Sequence, residues 1–192
     1  MHNANYNKMN KNENIHFEKY KLLINEIDEH TAILDDMHHK HLKCKNGCAL
    51  CCIDFSVFPI EFYYLLNELK KQDVKHEPDS DLSTEICVFL RSYSCTIYNQ
   101  RPIMCRTHGL PLLYANDNGE WELSACELNF TEFNFDDFTM ENTLPQDKYN
   151  SKLFLLNRDF IAEFKDKKYG ELDLIPLKEL SIQLVKNEKQ IL

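Results

Sequence analysis

The sequence has no apolar run approaching the roughly 18 residues needed to cross a bilayer, which excludes a helical membrane span. Only four Gly and six Pro occur in 192 residues, too few for a loop-rich miniature fold stapled by disulfides. The N-terminal MHNANYNKMNKNEN is polar and Asn-rich and lacks the apolar centre of a secretory signal, so the expected compartment is the cytoplasm. From Thr107 to Asp147 there is no Lys or Arg, while Asp117, Glu120, Glu122, Glu127, Glu132, Asp136, Asp137, Glu141 and Asp147 are all acidic. With a net charge of −9, such a chain repels a phosphate backbone, and nucleic acid is not an expected partner. No Ser–His–Asp order and no phosphate-binding glycine loop is present.

What remains is an ordinary globular composition, 43% hydrophobic and 28% charged, with eight cysteines. In a reducing compartment eight thiols call for an explanation other than disulfides, and metal ligation is the usual one. Residues 1–14 read as a disordered tail, and residues 15–192 as a single domain with its motif core at 44–126. The fold expected is mainly α with a small β-hairpin element, organised around a cysteine-ligated metal centre. Ile24, Ile27, Leu34, Met37 and Leu42 recur near helical spacing and predict a helix over 15–42. Pro59 opens a second over 59–72, with Phe62, Leu65, Leu66 and Leu69 on one face, and 73–84 reads as a polar loop. Ile86–Leu90 and Cys95–Tyr98 are short β-prone pieces across the turn-like RSYS, and Cys105 follows on a short turn or helix. Asn116-Asp117-Asn118-Gly119 is a hairpin signal between 110–115 and 120–124. Leu153, Leu156, Phe160 and Phe164 stripe a helix over 145–168 that Gly170 can end, and 176–192 adds a last one.

The cysteines fall into two sets. Cys44, Cys48, Cys51 and Cys52 lie within nine residues; Cys87, Cys95, Cys105 and Cys126 are dispersed. On a helix, Cys44, Cys48 and Cys51 would share one face and Cys52 would point aside. Asn46-Gly47 equally permits a loop leading into a helix start, where thiolates are favoured by the dipole. Four cysteines beside Lys45, Asn46 and Gly47 are not core patterning. Eight thiols divide into two four-ligand sites, or into one polynuclear cluster with supporting thiols.

The first cluster is followed by Cys87-Val-Phe-Leu, Cys95-Thr-Ile-Tyr, Arg101-Pro102 and Cys105-Arg106. Together these resemble the zinc- or iron-chelating cysteine-cluster family (the YkgJ type, labelled CxxCxxCC), over about Cys44 to Cys126. One departure is visible: the first gap here is three residues, where that label implies two. The resemblance implies metal binding, with zinc, iron or an iron–sulfur cluster as cofactor. It places Glu61 at an acidic position of the family pattern. A relative, the flagellin lysine methylase, is associated with an iron–sulfur cluster and methyl transfer, so a metal-dependent enzyme is the alternative to a structural, chelating or redox metal protein. This chain is much shorter than that enzyme.

Arg101 and Arg106 flank Cys105 and suit the offsetting of thiolate charge and donation of hydrogen bonds to sulfur. His41 and His108 stand at ligand-compatible spacings from Cys44 and Cys105, while His38 and His39 read as exposed helix surface. Glu61 reads as a satisfied helix residue, with ligand or general base as alternatives. Cys44-x3-Cys48-x2-Cys51 also has the spacing of the radical S-adenosylmethionine motif, but it follows a helical pattern, not a barrel strand. Cys48-x2-Cys51 has a thioredoxin-like spacing without the βαβ context that would activate it.

Overall fold

The computed structural model describes residues 11–72, 85–164 and 168–188. The polar loop expected at 73–84 lies outside them. Helix α1 runs Lys11–His38, so Lys11–Asn14, read from sequence as tail, are helical, and the helix stops four residues short of Leu42. Its buried stripe is Phe17, Tyr20, Ile24, Ile27, Leu34 and His38. Counting four residues on from Leu34 brings the helix back to the same face at His38, not Met37, which is 49% exposed. Hydrophobicity favoured Met37; the 3.6-residue period selects the histidine.

Strand β1 (Ser56–Val57) leads into α2 (Pro59–Lys71), which buries Phe62, Leu65, Leu66 and Leu69 as expected. No side chain caps α2 from its own N-cap, Phe58. Instead the fully buried Asn157 accepts the Ile60 N–H through Oδ1 at 3.2 Å, satisfying one of the orphan donors of the first turn. Strands β2 (Leu90–Arg91) and β3 (Ser94–Cys95) form a hairpin whose two loop residues, Ser92 and Tyr93, both have positive φ (48° and 60°). That is the two-residue turn whose twist matches paired strands.

After α3 (Ile103–Thr107), strands β4 (Leu112–Ala115) and β5 (Trp121–Ser124) make the hairpin expected around Asn116–Gly119. Asn116 Oδ1 accepts the N–H groups of Asn118 and Glu120 at 3.0 Å each, and Gly119 supplies a φ of +77°. Strand β6 (Leu144–Pro145) adds to β4 in parallel and feeds α4 (Gln146–Glu163). Helix α4 ends well before Gly170: Phe164 turns extended and packs against Tyr63 and Phe160, with ring centroids 4.6 and 4.8 Å apart. Burying that ring outweighs another helical turn. Strand β7 (Ile175–Pro176) pairs antiparallel with β1, and α5 (Leu177–Glu188) closes the chain.

The mainly α reading with small β elements holds. One core is built from α1, α2, α4 and α5 around Tyr20, Phe62, Phe89, Tyr149 and Phe160. The short strands and α3 lie between helices, and the cysteines sit on them and on their loops. No helix among the described residues is long and apolar enough to cross a membrane.

Candidate metal centre

Residues 44–52 are not helical. They form two successive tight turns: Cys48 N–H donates to Lys45 O, and Cys52 N–H donates to Ala49 O, each at 3.0 Å. Gly47 takes φ +92° with nothing within 4 Å of a would-be Cβ, so conformation and not space requires glycine there. Of the loop-and-helix-start alternative only the loop is adopted, since the next helix does not begin until Pro59. The Cys51 and Cys52 thiols lie close enough to influence one another's ionisation.

The chain then brings the dispersed cysteines back. Cys87 N–H donates to Cys52 O at 3.0 Å, and Ile53 bridges Ile86, so Cys52 and Cys87 lie side by side on paired backbone. The β2–β3 hairpin sets Cys95 opposite Leu90, whose N–H donates to Cys87 O. Cys105 rides on α3, and the start of α3 is fixed by Glu61. This carboxylate is buried between two donors, the Tyr20 hydroxyl at 2.8 Å and Ile103 N–H at 3.1 Å.

The thiols lie near enough to influence one another's ionisation. Burial, then the charges of Cys87, Cys95, Cys52 and Cys51, push the Cys105 thiol far up. Burial, then Cys51, Cys87 and Cys95, push Cys52 up to about 11. Burial raises Cys87, with Cys95 adding to it, and raises Cys95 against the opposing charge of Arg101. Cys51 is raised by burial, with Cys44 and Cys48 as its charged neighbours. The segment that carries Cys126 is tied to that of Cys44 by Asn129 and Phe130. The Cys126 carbonyl accepts the Asn129 N–H at 2.9 Å, Asn129 Oδ1 accepts the Lys43 N–H at 2.7 Å, and Phe130 N–H reaches His41 O at 3.1 Å. The segments 41–44 and 126–130 are thus laced together.

Other expected residues have other duties. The Arg106 guanidinium reaches Asp28 Oδ2 at 2.6 Å, Arg101 O at 2.9 Å and Asn99 O at 2.9 Å, so it ties α3 to α1 and to the preceding turn. Arg101 donates to Tyr98 O at 2.9 Å and stacks on the Tyr98 ring, while its Nε is buried with no partner. His38, expected on the surface, is buried, its Nε2–H donating to Asn142 O at 2.7 Å. His41 packs on Phe133 (4.6 Å between centroids), exposed His39 bonds Asp36 O, and His108 lies on the surface just after α3. Glu61 is the satisfied helix residue.

Residues 43–127 match the CxxCxxCC family, whose description is "Putative zinc- or iron-chelating domain". The match covers under half of the chain, so it is a similarity of this stretch. No curated protein and no solved structure gives a significant match to the chain. All eight cysteines of the chain lie inside the matched stretch. Among the described residues, no three His, Cys, Asp or Glu side chains already stand in metal-holding geometry. The donor chemistry nevertheless fits a soft cation. Half-buried thiols that resist ionisation through burial and mutual repulsion gain most from a divalent charge placed among them. The unpartnered Arg101 Nε beside Cys95 is a donor suited to a metal-bound sulfur.

Sequence reasoning did not find Tyr20, Asp28, Gly109 or Asn129. Gly109 carried a signal, as one of only four glycines and just after the short helix of Cys105. The other three are ordinary residues that matter only through contacts distant in sequence.

Proposed function

We propose that the chain is a thiolate metal-binding protein that holds zinc or iron in two adjacent four-thiol sites, with a structural and chelating role. Cys52, Cys87, Cys95 and Cys105 would form one site. Cys44, Cys48, Cys51 and Cys126 would form the other, the adjacent residues Cys51 and Cys52 marking the seam between them. The observation that carries this reading is the environment of Cys105: four other thiols, from two separate stretches of chain, set its electrostatics after burial. A packed core cysteine is a small hydrophobe among apolar side chains, and does not gather thiols.

Four thiolates satisfy a tetrahedral Zn²⁺ or Fe²⁺ and leave a net charge of −2. Arg101 is the cation placed to offset it at the Cys95 side. The closed, all-sulfur donor sets favour holding a metal over catalysis at an open position. Metal analysis and visible absorption of protein purified without oxygen test the reading. Two metal ions per chain, colourless with zinc, support it. A broad brown absorption from a thiolate-held iron–sulfur cluster would replace two mononuclear sites by a polynuclear one. No bound metal with eight reactive thiols contradicts it.

A further inference from the structure

Asn129 lies two residues beyond the CxxCxxCC match and is buried at 5% exposure. Its side-chain amide has one acceptor edge and two N–H donors, and the surroundings fix which way it faces. Lys43 offers a backbone N–H, so Oδ1 must be turned to it, at 2.7 Å. Gly109 offers a carbonyl, so Nδ2 must be turned the other way, donating at 2.7 Å. The second Nδ2 proton then points to Cys44 Sγ at 3.4 Å, an ordinary length for a bond to sulfur. The opposite amide orientation would set donor against donor and acceptor against acceptor.

Gly109 completes the cradle. It takes φ +93°, and a Cβ there would stand 2.7 Å from Cys44 Sγ and 3.3 Å from Asn129 Nδ2. Glycine is required twice over, by the backbone and by the space the sulfur occupies. Cys44 is exposed, yet its sulfur is held by a buried amide and a glycine from two remote segments.

We propose that Asn129 is a positioning residue for Cys44. It fixes the sulfur toward the site shared with Cys48, Cys51 and Cys126, and its N–H···S bond stabilises the thiolate once metal is bound. This rests on the two-site reading above. An amide N–H is a donor for sulfur in either charge state, and such partners typically alter metal affinity by roughly 10–100-fold.

Anaerobic titration of the full-length chain with Co²⁺, read by sulfur-to-cobalt charge transfer, tests the proposal. Asn129→Asp keeps the shape and the acceptor for Lys43 but removes both donors. It should weaken one of two cobalt equivalents by roughly 10–100-fold and leave the other within about twofold. The charge-transfer band of the weakened site should move to longer wavelength, because a sulfur without its hydrogen bond is a better electron donor. His38→Gln loosens neighbouring packing without touching sulfur and should keep both equivalents and the band. Unchanged affinity and band in Asn129→Asp overturn the proposal, as does the same loss in His38→Gln, which would make packing the cause. Should Asn129→Asp not fold, Gly109→Ala decides: loss of the same single equivalent supports the cradle, and retention of both overturns it. A wild-type chain that takes up no cobalt refutes the two-site reading instead.

Discussion

Replacing Glu61 by Leu should damage the site without removing a ligand. Glu61 is 4% exposed and accepts two donors: the hydroxyl of Tyr20 on α1 and the N–H of Ile103 at the start of α3. Leucine fills a similar volume and leaves these donors buried without an acceptor, at about 1–3 kcal/mol each. Loss of a buried carboxyl offsets part of that, so the net cost should be ~3 kcal/mol, a fall in Tm of roughly 6–12 °C for a chain of this size. Because Ile103 starts the helix that carries Cys105, the mutant should also bind metal more weakly at the Cys105 site. Glu61→Gln retains an acceptor and should keep full metal content.

Burial holds the Glu61 carboxyl above its ordinary range. A group with a raised folded pKa contributes its full stability below its unfolded pKa and loses that contribution as pH rises through the folded one. The penalty of Glu61→Gln should therefore be larger near pH 4 than near pH 7. The assays are thermal melts at both pH values and metal analysis. Full loss of one metal ion in Glu61→Gln with an unchanged melt would refute the reasoning, making Glu61 a ligand and not an anchor.

Other perturbations should be equally selective. Arg106→Ala should cost more than Asp28→Asn in denaturant unfolding, about 3 against 1 kcal/mol, because the Arg106 side chain is buried and bonds two carbonyls besides Asp28, whereas the Asp28 side chain is 42% exposed. Equal costs would show the ion pair alone to matter. Cys44→Ser and Cys52→Ser should each remove one metal equivalent, measured by metal analysis, and the double mutant should remove both; identical spectra for the two single mutants would point to one shared cluster. Deleting residues 1–10, which have little apolar content, should leave the melting temperature unchanged. Deletion through Phe17 also removes the buried His16 and Phe17 and should lower it by several degrees.

Local signals proved legible where they were also sufficient. Pro59 and the stripe Phe62, Leu65, Leu66 and Leu69 specify α2, and Asn116–Gly119 specifies its hairpin, since each is decided by neighbours in sequence. The cysteine cluster announced its chemistry for the same reason. The choice between helix and turns at 44–52 was decided by Gly47, whose positive φ a helix does not accept. What depended on distant contacts was not legible. His38 looked like surface until Phe130 and Asn142 covered it. Nothing local in the sequence marked Asp28, 78 residues earlier, as the partner of Arg106. The β1–β7 pair joins segments more than a hundred residues apart through two residues each, too short a run for any periodicity to register.

X-ray absorption at the metal edge of the anaerobically purified chain tests the central claim most directly. The account predicts an all-sulfur first shell of four ligands, at about 2.3 Å if the metal is zinc, with two metal ions per chain. A chain without metal, or a first shell dominated by nitrogen and oxygen, would contradict it.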